Sequence, residues 1–194
     1  MTPPPDLRRE AILLLAEMGE KERWRALRRF SAAHRRDLLE NWRGWAHENQ
    51  RAPAGDDWRV WLIRAGRGFG KTRAGAEWVG AVARATPGAR IALVGATADE
   101  VRRVMIEGDS GLLNTAGADD GCEWRRASGE VRYASGAVAF VFSADAPDGL
   151  RGPQHHAAWC DEVAKWRYGE AAWDNLLMGL TGGWRPAPGG SGTR

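Results

Sequence analysis

The sequence predicts an α/β fold, a parallel-stranded sheet with flanking helices, preceded by a helical N-terminal arm. Three observations predict it. From Trp58 onward, strand-like apolar runs alternate with helical ones. The stretch "RAGRGFGKTRAGAEW", Arg64 to Trp78, crowds four glycines around a lysine–threonine pair, between one such strand and one such helix. "HAAWCDE", residues 156–162, ends a short apolar run in two adjacent carboxylates.

Size and composition fit such a fold. The 194 residues suffice for one good core with appendages and are marginal for two domains. A hydrophobic content of 43% and a charged content of 27% are those of a soluble globular chain. The net charge of +3 permits an acidic partner without requiring one. No apolar run approaches the roughly 18 residues of a membrane span. Acids flank the short apolar stretch of "MTPPPDLRREAILLLAEMGEKERW" and no small-residue cleavage site follows, so no signal peptide is expected. Cys122 and Cys160 lie far apart without a partner motif, which points to a reducing compartment and no cysteine metal site. The tryptophans are scattered and read as packing residues.

Residues 1–49 read as a basic helical arm. "DLRREAILLLAEMG" sets apolar residues at helical spacing and stops at Gly19. "EKERWRALRRFSAAHRRDLLENWRGW" follows, with Trp24, Leu27, Phe30, Leu38, Leu39 and Trp42 as an apolar stripe. Its arginines alternate with Glu20, Glu22, Asp37 and Glu40, which favours a solvated face over a DNA-contacting one. "NQRAPAGDD" is a linker into the main domain, residues 50–180. There "WRVWLIRA" reads as a strand, "KTRAGAEWVGAVARA" as a helix ended by Pro87, and "ARIALVGA" as a second strand. "TADEVRRVMIEG" reads as a helix capped by Thr97, with Glu100 completing a capping box. "GEVRYASGAVAFVFSA" reads as a hairpin turning at Ser135-Gly136. "HHAAWC" is a short buried strand and "RYGEAAWDNLLMGL" a helix. Residues 181–194, "TGGWRPAPGGSGTR", form a Gly/Pro-rich tail expected to be disordered.

The glycine stretch has the chemistry of a phosphate-binding loop. Gly66, Gly68 and Gly70 let backbone N–H groups turn inward and approach phosphate oxygens, and the helix that follows adds its dipole. Lys71 would reach the β- and γ-phosphates of a nucleotide, and the Thr72 hydroxyl would ligate Mg²⁺. The fit to G-x-x-x-x-G-K-[ST] is imperfect, because Ala65 occupies the first position. Arg67 inside the loop is either an additional phosphate clamp or a solvated arginine. The alternative, a glycine-rich turn with an incidental Lys-Thr, loses weight because strand, loop and helix agree.

Such a loop needs a metal partner and, for hydrolysis, a base. A short apolar strand ending in Asp161 would place that carboxylate at the strand's C-terminal edge, beside the loop, to hold Mg²⁺. Glu162 would polarise the attacking water. The competing reading is a helix N-terminus decorated with acids. His155 and His156 read as packing or surface residues.

Four stretches, "RAGRGFGKTRAGAEWV", "LVGATADEVRRVMIEGDSGLL", "SADAPDGLRGPQHHAAWCDEVAKW" and "AAWDNLLMGL", together resemble the N-terminal ATPase domain of the large terminase subunit of tailed phages. The likeness runs from about Trp42 to Leu180 and is strongest to the branch found in prophages and gene transfer agents. It implies a P-loop NTPase fold of the ASCE type, with ATP and Mg²⁺ as ligands. It further implies that Lys71 and Thr72 bind the nucleotide and its metal, that Asp161 coordinates the metal, and that Glu162 is catalytic. Gln50 falls where the family reads the adenine, and Arg151 is an arginine ahead of the metal-binding strand that would complete the phosphate site. The implied partners are double-stranded DNA, a portal protein and a small terminase subunit. The full protein would work as a homo-oligomeric ring in the bacterial cytoplasm, with no membrane.

The family's chain continues after "NLLMGL" into a strand that lies between the loop strand and the Asp-Glu strand, and then into a nuclease domain. Here Leu180 is followed by glycines and prolines, which cannot build a central strand. The sheet is therefore expected to be incomplete on its C-terminal side, as in a truncated or frame-shifted reading of a longer gene, and the chain is expected to be inactive alone. Two other classes compete: another P-loop enzyme, helicase-like or a nucleotide kinase, and a non-catalytic nucleotide-binding remnant. A kinase needs no glutamate beside the metal aspartate, and helicase motifs are not found.

Overall fold

Strand β1, Arg90–Gly95, is apolar on both faces and buried from its second residue on, so it takes the centre of the sheet. The computed structural model describes residues 10, 12–15, 17–32, 42–55 and 57–180. It resolves into two compact units, Met1–Arg51 and Ala52–Arg194. In the second, β2 is Glu123–Arg125, β3 Glu130–Arg132, β4 Val138–Ser143 and β5 Ala157–Cys160, in the spatial order β2-β3-β4-β1-β5. β1 pairs in parallel with β4 and β5, so that Leu93 stands opposite both Val141 and Trp159. β3 and β4 form the expected hairpin; Gly136 supplies the positive φ (81°) that its tight turn requires. β2, which the sequence reading did not anticipate, extends the antiparallel side. The sheet is therefore mixed, with the expected parallel strands on one side and the expected hairpin, lengthened by β2, on the other.

A correction concerns "WRVWLIRA". Residues 58–65 form no strand. A strand exists through its ladder and its cross-strand side-chain pairs, and among the described residues no strand pairs with this segment. Val60 is 56% and Leu62 79% exposed as a result. The edge of β5 that faces away from β1 likewise has no partner among the described residues.

Helices cover both faces. Helix α1, Lys71–Ala85, lays Ala76, Val79, Val82 and Ala83 on Ile91, Leu93, Ala139 and Trp159. Helix α2 begins as Ala98–Glu100 and widens into a π-helix, Val101–Ile106, which adds Val101, Met105 and Ile106 to that core. Thr97 Oγ1 accepts from the Glu100 N–H at 3.2 Å, the cap expected from the sequence. Helix α3, Gly169–Gly179, packs Ala172 and Leu176 on the opposite face against Ala92, Val94, Leu150 and Trp166.

In the first unit, Glu20–Arg28 is helical, with Glu20 and Glu22 in its first turn and Arg25 and Arg28 in its last, which complements the helix dipole. None of its residues is buried, so the expected apolar stripe is not a core face here: Trp24 is 58% exposed. Leu38 and Leu39 of that stripe, and the tail 181–194, lie outside the described residues.

Candidate functional site

The loop that enters α1 is shaped by two glycines. Gly68 (φ 77°) and Gly70 (φ 85°) occupy the left-handed region, which a side chain would disfavour, and Gly70 is the N-cap of α1. Lys71, the first helical residue, turns back over the loop: its Nζ donates to the carbonyls of Ala65 at 2.9 Å and Gly66 at 2.8 Å. Its ammonium thus sits over the loop, where an anion bound by the helix N-terminus would meet it. Thr72 follows, partly buried. Arg67 is exposed at the loop tip. One turn on, Arg73 pairs with Glu77 (Nη2 to Oε1, 2.7 Å), whose carboxyl burial pushes above the ordinary range.

β5 delivers the carboxylates. The Asp161 N–H donates to Val94 O at 2.9 Å, one step beyond the last β1–β5 pair, so Asp161 stands at the C-terminal end of the parallel strands. Trp166 Nε1 donates to the Asp161 carbonyl at 3.1 Å and fixes the chain's exit. The carboxyl of Asp161 is held above the ordinary aspartate range, first by burial and then by the Glu162 charge; the Lys165 and Lys71 charges oppose this. Glu162 has φ 45°, the one non-glycine residue with positive φ among the described residues, and its carboxylate pairs with Lys165. Glu100, at the start of α2, also acts on both Asp161 and Lys165. Neither Glu100 nor Lys165 was identified from the sequence as a site residue; Lys165 is placed by the 3₁₀ turn that follows Glu162, and Glu100 by the tertiary fold.

Arg151 and Gln50, the two remaining predicted residues, have partners of their own. Arg151 is exposed on the turn before β5, paired with Asp148 at 3.9 Å. Gln50 belongs to the first unit, where its Oε1 accepts from the His47 N–H at 2.8 Å.

The donor set suits a hard cation held jointly with a ligand's phosphates. The Thr72 hydroxyl and the Asp161 carboxylate are oxygen donors of the kind Mg²⁺ takes, with the Glu162 and Glu100 carboxylates nearby. Among the described residues no group of three or more His, Cys, Asp or Glu could hold a metal by itself.

The family model "Terminase large subunit, T4likevirus-type, N-terminal" matches residues 62–186. The chain belongs to this terminase family. The match takes in the glycine loop, α1, the whole sheet and α3. Among solved structures, the chain is similar to the large terminase ATPase domain of Thermus phage P74-26, with 20% identity and a TM-score of 0.45. That match covers 58% of this chain and 53% of the phage chain. None of the curated proteins matches the chain. No described helix is long and apolar enough to cross a membrane.

Proposed function

We propose that residues 52–180 form the ATP-binding unit of a DNA-packaging motor, in which ATP hydrolysis drives DNA into a capsid. What supports this reading is the packing of α1, which the Lys71 loop opens, against β5, which ends at Asp161, with Gly75 set against Trp159, in a chain that belongs to the large terminase family. Lys71 would exchange the loop carbonyls it now holds for the β- and γ-phosphates of ATP. Backbone N–H groups of residues 66–72 would cradle the same phosphates, and Arg67 would add a second cation from the loop tip. Thr72 and Asp161 would hold Mg²⁺, which when bound neutralises charge building on the phosphoryl oxygens. Glu162 would leave Lys165, orient a water toward the γ-phosphate and take its proton. Arg151 would join the phosphate site only if the turn that carries it moves.

The whole motor's partners belong to the same proposal. They are double-stranded DNA, a portal and a small terminase subunit, with a ring of copies acting in the bacterial host cytoplasm. The prophage or gene-transfer-agent branch is proposed from the sequence likeness. We assign no DNA-cleaving role to this chain.

One observation favours a second reading, nucleotide binding with little turnover. Among the described residues, 58–65, which lead into the loop, have no sheet partner, and the edge of β5 away from β1 has none either. Phosphoryl transfer depends on positioning, and about 1 Å of misplacement costs on the order of a hundredfold in rate. Titration with a fluorescent ATP analogue, followed by a steady-state ATPase assay on the same preparation, separates the two readings. Binding with turnover supports the motor ATPase, binding alone supports the second reading, and absence of binding sinks both.

A further inference from the structure

Gly75 lies four residues after Lys71, one turn into α1, and Trp159 lies two residues before Asp161 on β5. A Cβ built on Gly75 would fall 2.3 Å from Trp159 Cε2, 2.4 Å from Nε1 and 2.7 Å from Cζ2. Those separations are well inside van der Waals contact, so the indole fills the space where any other residue would carry its side chain. Both residues are buried, and Trp159 is only 8% exposed. A glycine in a helix interior is unfavourable relative to alanine, so its presence here calls for a packing reason. The indole supplies it.

The contact joins the two halves of the candidate site. Along the chain, about seventy residues separate the end of α1 from β5, and among the described residues the segment entering the loop has no ladder to hold it. Noncovalent packing of α1 on β5 therefore sets how far Lys71 and Thr72 stand from Asp161. We propose that Trp159 is a positioning residue for the nucleotide site: seated on Gly75, it fixes the depth at which α1 lies on β5 and hence the separation of the phosphate loop from the metal carboxylate. This rests on the ATP-binding reading above. Trp159 touches no ligand in this account and acts only through the helix.

The test uses the 194-residue chain and N-methylanthraniloyl-ATP, titrated with and without Mg²⁺. The Mg²⁺-free affinity reads the loop and Lys71; the gain on adding Mg²⁺ reads the spacing to Asp161. Gly75→Ala lifts the helix from the strand and should cut the Mg²⁺-dependent gain by about tenfold or more, with the Mg²⁺-free affinity changed by less than about threefold. Trp159→Phe withdraws the clashing indole atoms, so the double variant should recover most of that gain, a coupling that independent sites would not show. Melting curves establish that each variant is folded. Should Gly75→Ala fail to fold, Trp159→Phe alone decides, since it should lower the Mg²⁺-dependent gain and spare the Mg²⁺-free affinity. A folded Gly75→Ala chain with the wild-type Mg²⁺ gain overturns the inference, as does equal weakening of both affinities or a double variant no better than the single. Wild type that does not bind the analogue at all overturns the ATP-binding reading itself, a result distinct from either.

Discussion

Glu162 and Lys165 form an ion pair across a single 3₁₀ turn, and Glu162 reaches it from a left-handed backbone with φ 45°. Left-handed conformations strain any residue with a Cβ, and such strain gathers at functional sites. Glu162→Gly should therefore raise stability by about 0.5–1 kcal/mol, because glycine adopts that φ freely. The same variant should lose any ATP turnover the wild type shows. Denaturant melts with an ATPase assay check both parts, and a less stable Glu162→Gly chain would show that the strain assignment is wrong.

The two carboxylates should separate by role. Asp161→Ala should remove most of the Mg²⁺-dependent part of nucleotide affinity, because it deletes the carboxylate assigned to hold the metal. Glu162→Gln should keep that affinity and abolish hydrolysis, since an amide cannot accept the water's proton. Titration in parallel with turnover distinguishes them. Equal turnover by wild type and Glu162→Gln, where wild type turns over, would refute the base assignment.

His155 makes the fold acid-sensitive. It is 1% exposed and lies between the Phe140 and Phe142 rings, whose centroids are 6.4 and 5.1 Å away. Burial first, then the charges of Arg90 and His156, push its pKa down from 6.5 to about 4. The unfolded chain thus takes up a proton between pH 6.5 and 4 that the folded chain refuses. The stabilising contribution is present above pH 6.5 and is lost as pH falls toward 4. Melting temperature should drop across that window, and His155→Leu should flatten the drop. An unchanged pH slope in a folded His155→Leu chain would contradict this account.

The β5 edge and the segment 58–65, neither of which has a strand partner among the described residues, should limit this chain as an enzyme. Turnover should stay well below roughly 1 s⁻¹, the low end of usual enzyme rates. The exposed edge should also promote self-association. Turnover by a monodisperse sample at or above that rate would show that the loop is held correctly without a paired entry strand.

Helix α1 was legible almost to the residue, because the glycine loop opens it and Pro87 closes it. β1 and β5 were legible as apolar runs that need burial on both faces. "WRVWLIRA" was misread for a physical reason: its composition favours a strand, but a strand forms only beside another strand. β2 was missed because Glu123–Arg125 is three residues long with charged ends, and its pairing with β3 is a tertiary fact. Lys71, Thr72, Asp161 and Glu162 stood out as motif residues, whereas Glu100 and the Gly75–Trp159 contact come together only through folding, and Lys165 joins through a local turn the sequence reading passed over.

The central claim is that the glycine loop and Lys71 hold a nucleotide's phosphates. Lys71 is half-buried and bonded to loop carbonyls rather than packed in the core, so Lys71→Ala should leave the chain folded. The deciding measurement is an equilibrium titration of wild type and Lys71→Ala with Mg²⁺-ATP. The account predicts saturable binding by wild type and affinity weaker by about a hundredfold or more in the variant, the loss of a charge-assisted contact to phosphate. A folded Lys71→Ala chain that binds Mg²⁺-ATP as tightly as wild type would contradict it.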